Sequence, residues 1–157
     1  MKKIIFVCTG NTCRSPMAQM IMTDLLDKTG IINVQVLSRG LSVLEASPAN
    51  PNVHTLMDEI SIDASSHKAC SLSSDDFTDN SIILTMTLAH KDFVCYLFPE
   101  HSSKVYTLSE YVTGNHFDIQ DPYGSSLDIY RQCFIELQDL IKKLFEKTCL
   151  HYKKDVY

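Results

Sequence analysis

The run Val7-Cys8-Thr9-Gly10-Asn11-Thr12-Cys13-Arg14-Ser15-Pro16 constrains this chain more than any other stretch. Before it, Lys3 to Val7 is apolar, rich in β-branched residues and stopped by turn formers, the pattern of a buried strand. After it, Ser15-Pro16 reads as a helix start, a capping residue followed by proline at the first helical position, where the missing N–H costs nothing. A strand, a short loop and a helix in this order point several backbone N–H groups and a helix N-terminus at one spot. That spot binds anions.

Cys8 opens the loop and Arg14 closes it. A thiol facing a helix N-terminus and a guanidinium is stabilised as the thiolate, the form that attacks. Arginine adds a planar fork that fits two phosphoryl oxygens, which lysine cannot match. The Ser15 hydroxyl is placed to donate to the sulfur, as activator or as support for a departing thiolate. The alternative is that Cys8 is a small buried hydrophobe at a strand end. An arginine six positions on and a helix opening at Ser15-Pro16 favour the nucleophile.

The rest of the chain alternates. Asn33 to Ser38, Ser81 to Met86 and Lys104 to Thr107 read as further strands. Helices are expected from Met17 to Lys28, from a start within Ser47-Pro48-Ala49-Asn50-Pro51, from Thr87 to Phe98, briefly from Leu108 to Val112, and from Leu127 onward. Four apolar strands alternating with helices imply an α/β fold, a doubly wound four-stranded parallel sheet with helices on both faces. Ligands bind such folds at strand carboxyl ends, and Cys8 lies at one of them. Leu127, Tyr130, Phe134, Leu137, Ile141, Leu144 and Phe145 form a helical stripe, read as a core face. Ser125-Ser126 is read as its cap, Gly40 as a turn residue, Ser73 to Asp76 as a polar turn.

A chain of 157 residues is one domain's worth, taken here as 1–157 with 151–157 a frayed polar tail. Its formal net charge of −5 gives no general attraction to nucleic acid or an acidic membrane, so an anion site must be local. The first apolar run ends at Cys8 without a cleavage site, and no segment approaches the roughly 18 apolar residues of a membrane span. The six cysteines include no pair at two-residue spacing, which argues for reduced thiols in a cytoplasmic protein. Neither a metal cluster nor a cofactor motif is present, so none is expected.

Cys8 to Ser15, continued by Pro16-Met17-Ala18, resembles the phosphate-binding loop of the low-molecular-weight protein tyrosine phosphatases, which include a bacterial branch of protein arginine phosphatases. The resemblance extends to Leu84-Thr85-Met86-Thr87 with His90-Lys91, and to Asp118-Ile119-Gln120-Asp121-Pro122-Tyr123-Gly124 before the last helix. It implies that Thr9, Gly10, Asn11, Thr12, Cys13, Arg14 and Ser15 bind phosphate, and that Cys8 is the nucleophile of a cysteinyl-phosphate intermediate. Asp121 is then the general acid, with Asp118 a weaker competitor that lacks the proline, and Tyr123 a wall beside the leaving group. Ser38 would support the loop by hydrogen bonding, and His67 would bond Asn11, which can adopt positive φ at low cost. Gln19 replaces the family's usual glutamate and is read as a surface change. Cys13 is a possible redox partner of Cys8, or else packs inside the loop.

Thr12 bears on the substrate. Tyrosine-specific members usually carry isoleucine or leucine there, suited to a phenyl ring; the arginine-phosphatase branch resembles this chain in having threonine. The expectation is hydrolysis of phosphoarginine in a phosphorylated protein, with phosphotyrosine the alternative. Arsenate reduction would need relay cysteines beyond Cys95, and a non-catalytic phosphate-binding module would be expected to have lost Cys8 or Asp121.

Overall fold

The computed structural model describes residues 1–149. Strands β1 (Lys2–Cys8), β2 (Val34–Gly40), β3 (Ser81–Thr85) and β4 (Val105–Thr107) form one sheet in the order β2-β1-β3-β4. Every neighbouring pair is parallel. The four expected strands are present with ends displaced by one or two residues. The tail expected over 151–157 lies outside the described residues.

Alternation along β1 explains how the sheet takes helices on both faces. Ile4, Phe6 and Cys8 point into the larger core with Met17, Met22, Leu56, Leu137 and Leu144. Ile5 and Val7 point the other way, against Ile83, Val94 and Val105. The first face is covered by α1 (Arg14–Thr29), α2 (Pro51–Glu59) and α5 (Leu127–Cys149), and the second by α3 (Leu88–Leu97). A strand apolar on both sides belongs at the centre of such a sandwich, since an edge would expose one set. A short α4 (Leu108–Thr113) follows β4 and stops at Gly114, which takes the left-handed conformation at φ 78°. No helix among the described residues is long and apolar enough to cross a membrane.

Two of the helices on the sheet carry side-chain caps. The Asn50 side chain accepts from Asn52 N with Pro51 at the first helical position, and Thr87 accepts from His90 N. The start of α1 carries none. The helix begins at Arg14, with Cys13 at the cap position and no side-chain cap. Ser15 is therefore not a cap but sits inside the first turn, where Cys8 and Asn11 engage its hydroxyl.

The chain leaves β1 toward β2 on one side and returns as β3 on the other. That reversal opens a crevice at the carboxyl end of β1, where Cys8 ends the strand.

Candidate active site

Residues 9–13 turn the chain from β1 into α1, and Asn11 makes the turn possible. It takes φ 55°, a conformation asparagine tolerates better than most residues. Its fully buried side chain donates from Nδ2 to Ser15 Oγ at 2.8 Å and accepts the Cys70 N–H at 2.9 Å. Its carbonyl accepts from His67 Nε2 at 2.7 Å. Burial lowers the His67 pKa, and a carbonyl partner places the ring proton on Nε2. The expected His67–Asn11 contact is present, made to the backbone. At the far end of the loop the Thr12 carbonyl accepts Asn50 N at 2.9 Å.

Cys8 Sγ lies 2.9 Å from Ser15 Oγ, and both residues are buried. Because Asn11 Nδ2 donates to the Ser15 oxygen, the Ser15 proton is free to point at the sulfur or at the Arg39 carbonyl, 3.3 Å away. Arg14 has only 5% of its side chain exposed. Its NH1 donates to Ile119 O at 3.0 Å, and its NH2 lies 3.4 Å from Asp121 Oδ2. Its Nε is buried and has no hydrogen-bond partner among the described residues. A buried guanidinium nitrogen left without a partner costs free energy.

Cys8, Thr9, Gly10, Thr12, Cys13, Arg14, Asp121 and Tyr123 line one cavity of about 210 Å³. Asp121 faces it across Arg14, half exposed, its other oxygen accepting the Tyr123 N–H at 3.1 Å. Asp118 is engaged elsewhere, accepting Leu88 N at the start of α3 at 2.9 Å and pairing with His116 at 3.1 Å. Among the described residues, no group of three His, Cys, Asp or Glu side chains is placed to hold a metal ion.

The family model described as low molecular weight phosphotyrosine protein phosphatase matches residues 3–155. The chain belongs to this family. It is a cysteine-dependent protein phosphatase. The protein-arginine-phosphatase of Bacillus subtilis is 40% identical over 152 residues, 97% of either chain. The low molecular weight protein-tyrosine-phosphatase PtpB of Staphylococcus epidermidis is 41% identical over 142 residues, 90% of this chain and 96% of that one. Among solved structures, a cysteine-to-serine mutant of the YwlE arginine phosphatase, with a phosphorylated active site serine, matches with a TM-score of 0.87 at 37% identity. It covers 95% of this chain and 98% of its own.

Several contacts in this phosphatase depart from the sequence reading. Ser38 does not reach the phosphate loop: its hydroxyl donates to Gln19 Oε1 at 2.6 Å, and Gln19 Nε2 donates to Val36 O at 3.3 Å. Gln19 is thus half-buried and fastens α1 to β2, not a surface change. Tyr130 is more than core, since its hydroxyl lies 3.3 Å from Cys13 Sγ. Burial raises the Cys13 pKa, the Tyr130 bond opposing it, and the same contact with burial pushes the phenol up as well. Cys13 shares the cavity with Cys8, and both are free thiols. Arg39, which sequence reasoning passed over, pairs with buried Asp76 at 3.0 Å, and Asp76 also accepts Ser73 N at the same turn.

Gly40 ends β2 without positive φ, so it is not required by a turn. Close approach requires it. A Cβ there would lie 2.5 Å from Val43 Cγ2, 2.8 Å from Thr9 O and 3.1 Å from Asn11 Cβ. Val43 can rotate away, but the Thr9 backbone cannot move without deforming the loop. Gly40→Ala is expected to cost about 1–3 kcal/mol of stability, as overpacking does, and to lower kcat/KM with it. Thermal melting and aryl phosphate turnover check this; unchanged turnover would mean the loop does not rest on Gly40.

Proposed function

We propose that this phosphatase hydrolyses phosphoarginine in proteins through a cysteinyl-phosphate intermediate, with Cys8, Arg14 and Asp121 as its catalytic residues. The observation that carries the mechanism is the arrangement at Arg14. One side chain braces the Asp121 loop with two nitrogens and lines, together with Asp121, the cavity onto which Cys8 opens.

In the first step Cys8 Sγ attacks phosphorus in line. The S–P bond forms as the bond to the leaving nitrogen breaks, and Asp121 gives that nitrogen its proton. The amides of Thr9 to Ser15 and the Arg14 fork stabilise the equatorial oxygens. In the second step Asp121, now a carboxylate, takes a proton from water as the water oxygen attacks phosphorus. The S–P bond breaks, the Ser15 hydroxyl donates to the departing thiolate, and inorganic phosphate leaves. The loop residues and arginine supply the positive field, so no metal or cofactor enters these steps. The partner is a phosphorylated protein, with no part for nucleic acid or a membrane. A thiol nucleophile sharing its cavity with a second thiol suits the reducing cytoplasm.

Thr12 supports phosphoarginine. It lines the cavity, and its carbonyl is fixed by Asn50, so its side chain is presented from a rigid point. The hydroxyl offers a polar contact to a guanidinium or to the attacking water, where isoleucine would offer a phenyl ring a surface. Relatives named for arginine and for tyrosine phosphatase activity match this chain at similar identity, so overall similarity does not choose between them. The choice is tested by kcat/KM on phosphoarginine and phosphotyrosine peptides for the wild type and Thr12→Ile. The wild type is expected to favour phosphoarginine. Thr12→Ile is expected to move the ratio toward phosphotyrosine by about tenfold or more, the worth of one polar contact. A wild type that prefers phosphotyrosine would overturn the substrate assignment and leave the mechanism standing.

A further inference from the structure

Helix α3 touches both halves of the site. At its first residue, Leu88 N donates to Asp118 Oδ1 at 2.9 Å, on the loop that carries Asp121. Two residues on, His90 Nε2 lies 2.8 Å from Thr9 Oγ1, on the residue that follows the nucleophile. The His90 N–H is itself held by Thr87 Oγ1 at 3.1 Å, so the imidazole leaves a capped and fixed turn. The Thr9 carbonyl meanwhile accepts from Leu41 N and Ser42 N, both at 2.9 Å. Thr9 is therefore clamped twice, by its carbonyl to the turn after β2 and by its hydroxyl to α3.

This second clamp is unusual chemistry for an exposed threonine. Such a hydroxyl normally turns to water, but here it meets a ring 81 residues away in sequence. The ring accepts a cost for the position, since its Nδ1 is buried without a partner among the described residues. The charged groups facing it are Arg14, Asp118 and Asp121. Burial first and Arg14 next hold its pKa down to about 4, so the imidazole is neutral at physiological pH and binds the hydroxyl without adding a cation beside Arg14.

We infer that His90 is a positioning residue of the phosphate loop: through the Thr9 hydroxyl it fixes the first peptide of the loop, and with it the aim of the nucleophile and of the first amide donors. Asp118 holds α3 against the acid loop from the other side, so the two halves of the site keep register through one helix end. The inference rests on the phosphatase reading of the cavity. A loop amide slightly out of line still binds a phosphate dianion but loses alignment with the charge that develops in the transition state. The effect of losing His90 therefore belongs in kcat.

The test measures kcat and KM on p-nitrophenyl phosphate, Ki for inorganic phosphate, and Tm. It compares the full-length wild type with His90→Ala, His90→Gln, Thr9→Val and the double variant His90→Ala/Thr9→Val. His90→Ala is expected to lower kcat about tenfold or more, with KM and the phosphate Ki within about twofold of wild type. Thr9→Val, which removes the hydroxyl and keeps the shape, is expected to match that loss. The double variant is expected to be no worse than either single one, because both remove the same contact. Glutamine can bring its amide nitrogen to the place of Nε2 and is expected to restore most of the rate. Losses that multiply in the double variant would overturn the inference, as would a wild-type kcat in His90→Ala. So would a loss that follows a fall in Tm with glutamine no better than alanine. A wild type without turnover would overturn the phosphatase reading and this inference together; an active wild type with multiplying losses would overturn this inference alone.

Discussion

Cys8→Ser is expected to lose turnover by about 10⁴-fold or more while still folding and still binding inorganic phosphate. The serine hydroxyl fits the same place at the end of β1, beside Ser15, and leaves the amides of the loop and the Arg14 fork intact. What it lacks is acidity: a hydroxyl with no base beside it attacks far more slowly than a thiol, and as a leaving group from phosphorus it is poorer than a thiolate. Among the described residues, the one side chain within hydrogen-bonding distance of Cys8 Sγ is Ser15, which cannot serve as that base. Turnover is measured on an aryl phosphate and binding by titration with inorganic phosphate. Turnover within tenfold of wild type would place the nucleophile elsewhere. Loss of phosphate binding along with turnover would show that the substitution had disturbed the loop and not only the chemistry.

The second large effect belongs to Asp121→Asn, and its size should depend on the substrate. General acid catalysis contributes about 10²–10⁴-fold, and most where the leaving atom cannot depart without a proton. The p-nitrophenolate ion departs readily, so this substrate should lose least. Phenyl phosphate should lose more, and phosphoarginine, whose nitrogen must be protonated to leave, should lose most. Asparagine keeps the shape and can still accept the Tyr123 N–H, so the 3.1 Å contact that orders the turn is preserved. Arg14 loses a charged partner at 3.4 Å and keeps its bond to the Ile119 carbonyl, so it stays in place. A uniform loss across the three substrates would mean that Asp121 orients Arg14 and does not transfer the proton. Asp118→Asn makes the contrast: its oxygen sits on the α3 N-terminus, so its cost should be in stability and nearly independent of the leaving group.

The fold was legible because it is written in local patterns. The apolar run of β1, the turn formers after it and the Asn50-Pro51 and Thr87 helix starts each act within a few residues, and each appears where expected. The gathering of Cys8, Arg14 and Asp121 was legible only through resemblance, because nothing local ties residue 121 to residue 14. Contacts that span the chain carried no local signal at all. Tyr130 fits a helical stripe equally well whether or not its hydroxyl meets Cys13, and Ser38 has the same spacing whether it faces the loop or Gln19. Ser15-Pro16 misled for a physical reason: serine before proline is a capping pattern, but here the hydroxyl is drawn to Cys8 and Asn11, and the helix starts two residues earlier, at Arg14. Gly40 misled likewise, since glycine serves turns and close approach equally well, and only the neighbours at 2.8 and 3.1 Å distinguish them.

β1 is hydrogen-bonded along both edges, to β2 and to β3. Its amides can exchange with solvent only when the whole sheet opens, whereas loop segments open in smaller, cheaper excursions. The proposed catalytic pair therefore straddles two grades of local stability. The sulfur stands at the end of a strand paired along both edges, and its position survives as long as the sheet does. The carboxylic acid stands on a loop between α4 and α5, held by the arginine it works beside, by Asp118 on the start of α3 and by the Ile119 N–H on Met86 O. On warming, the acid's half of the site should loosen first, and the proton donor should lose its register before the nucleophile does.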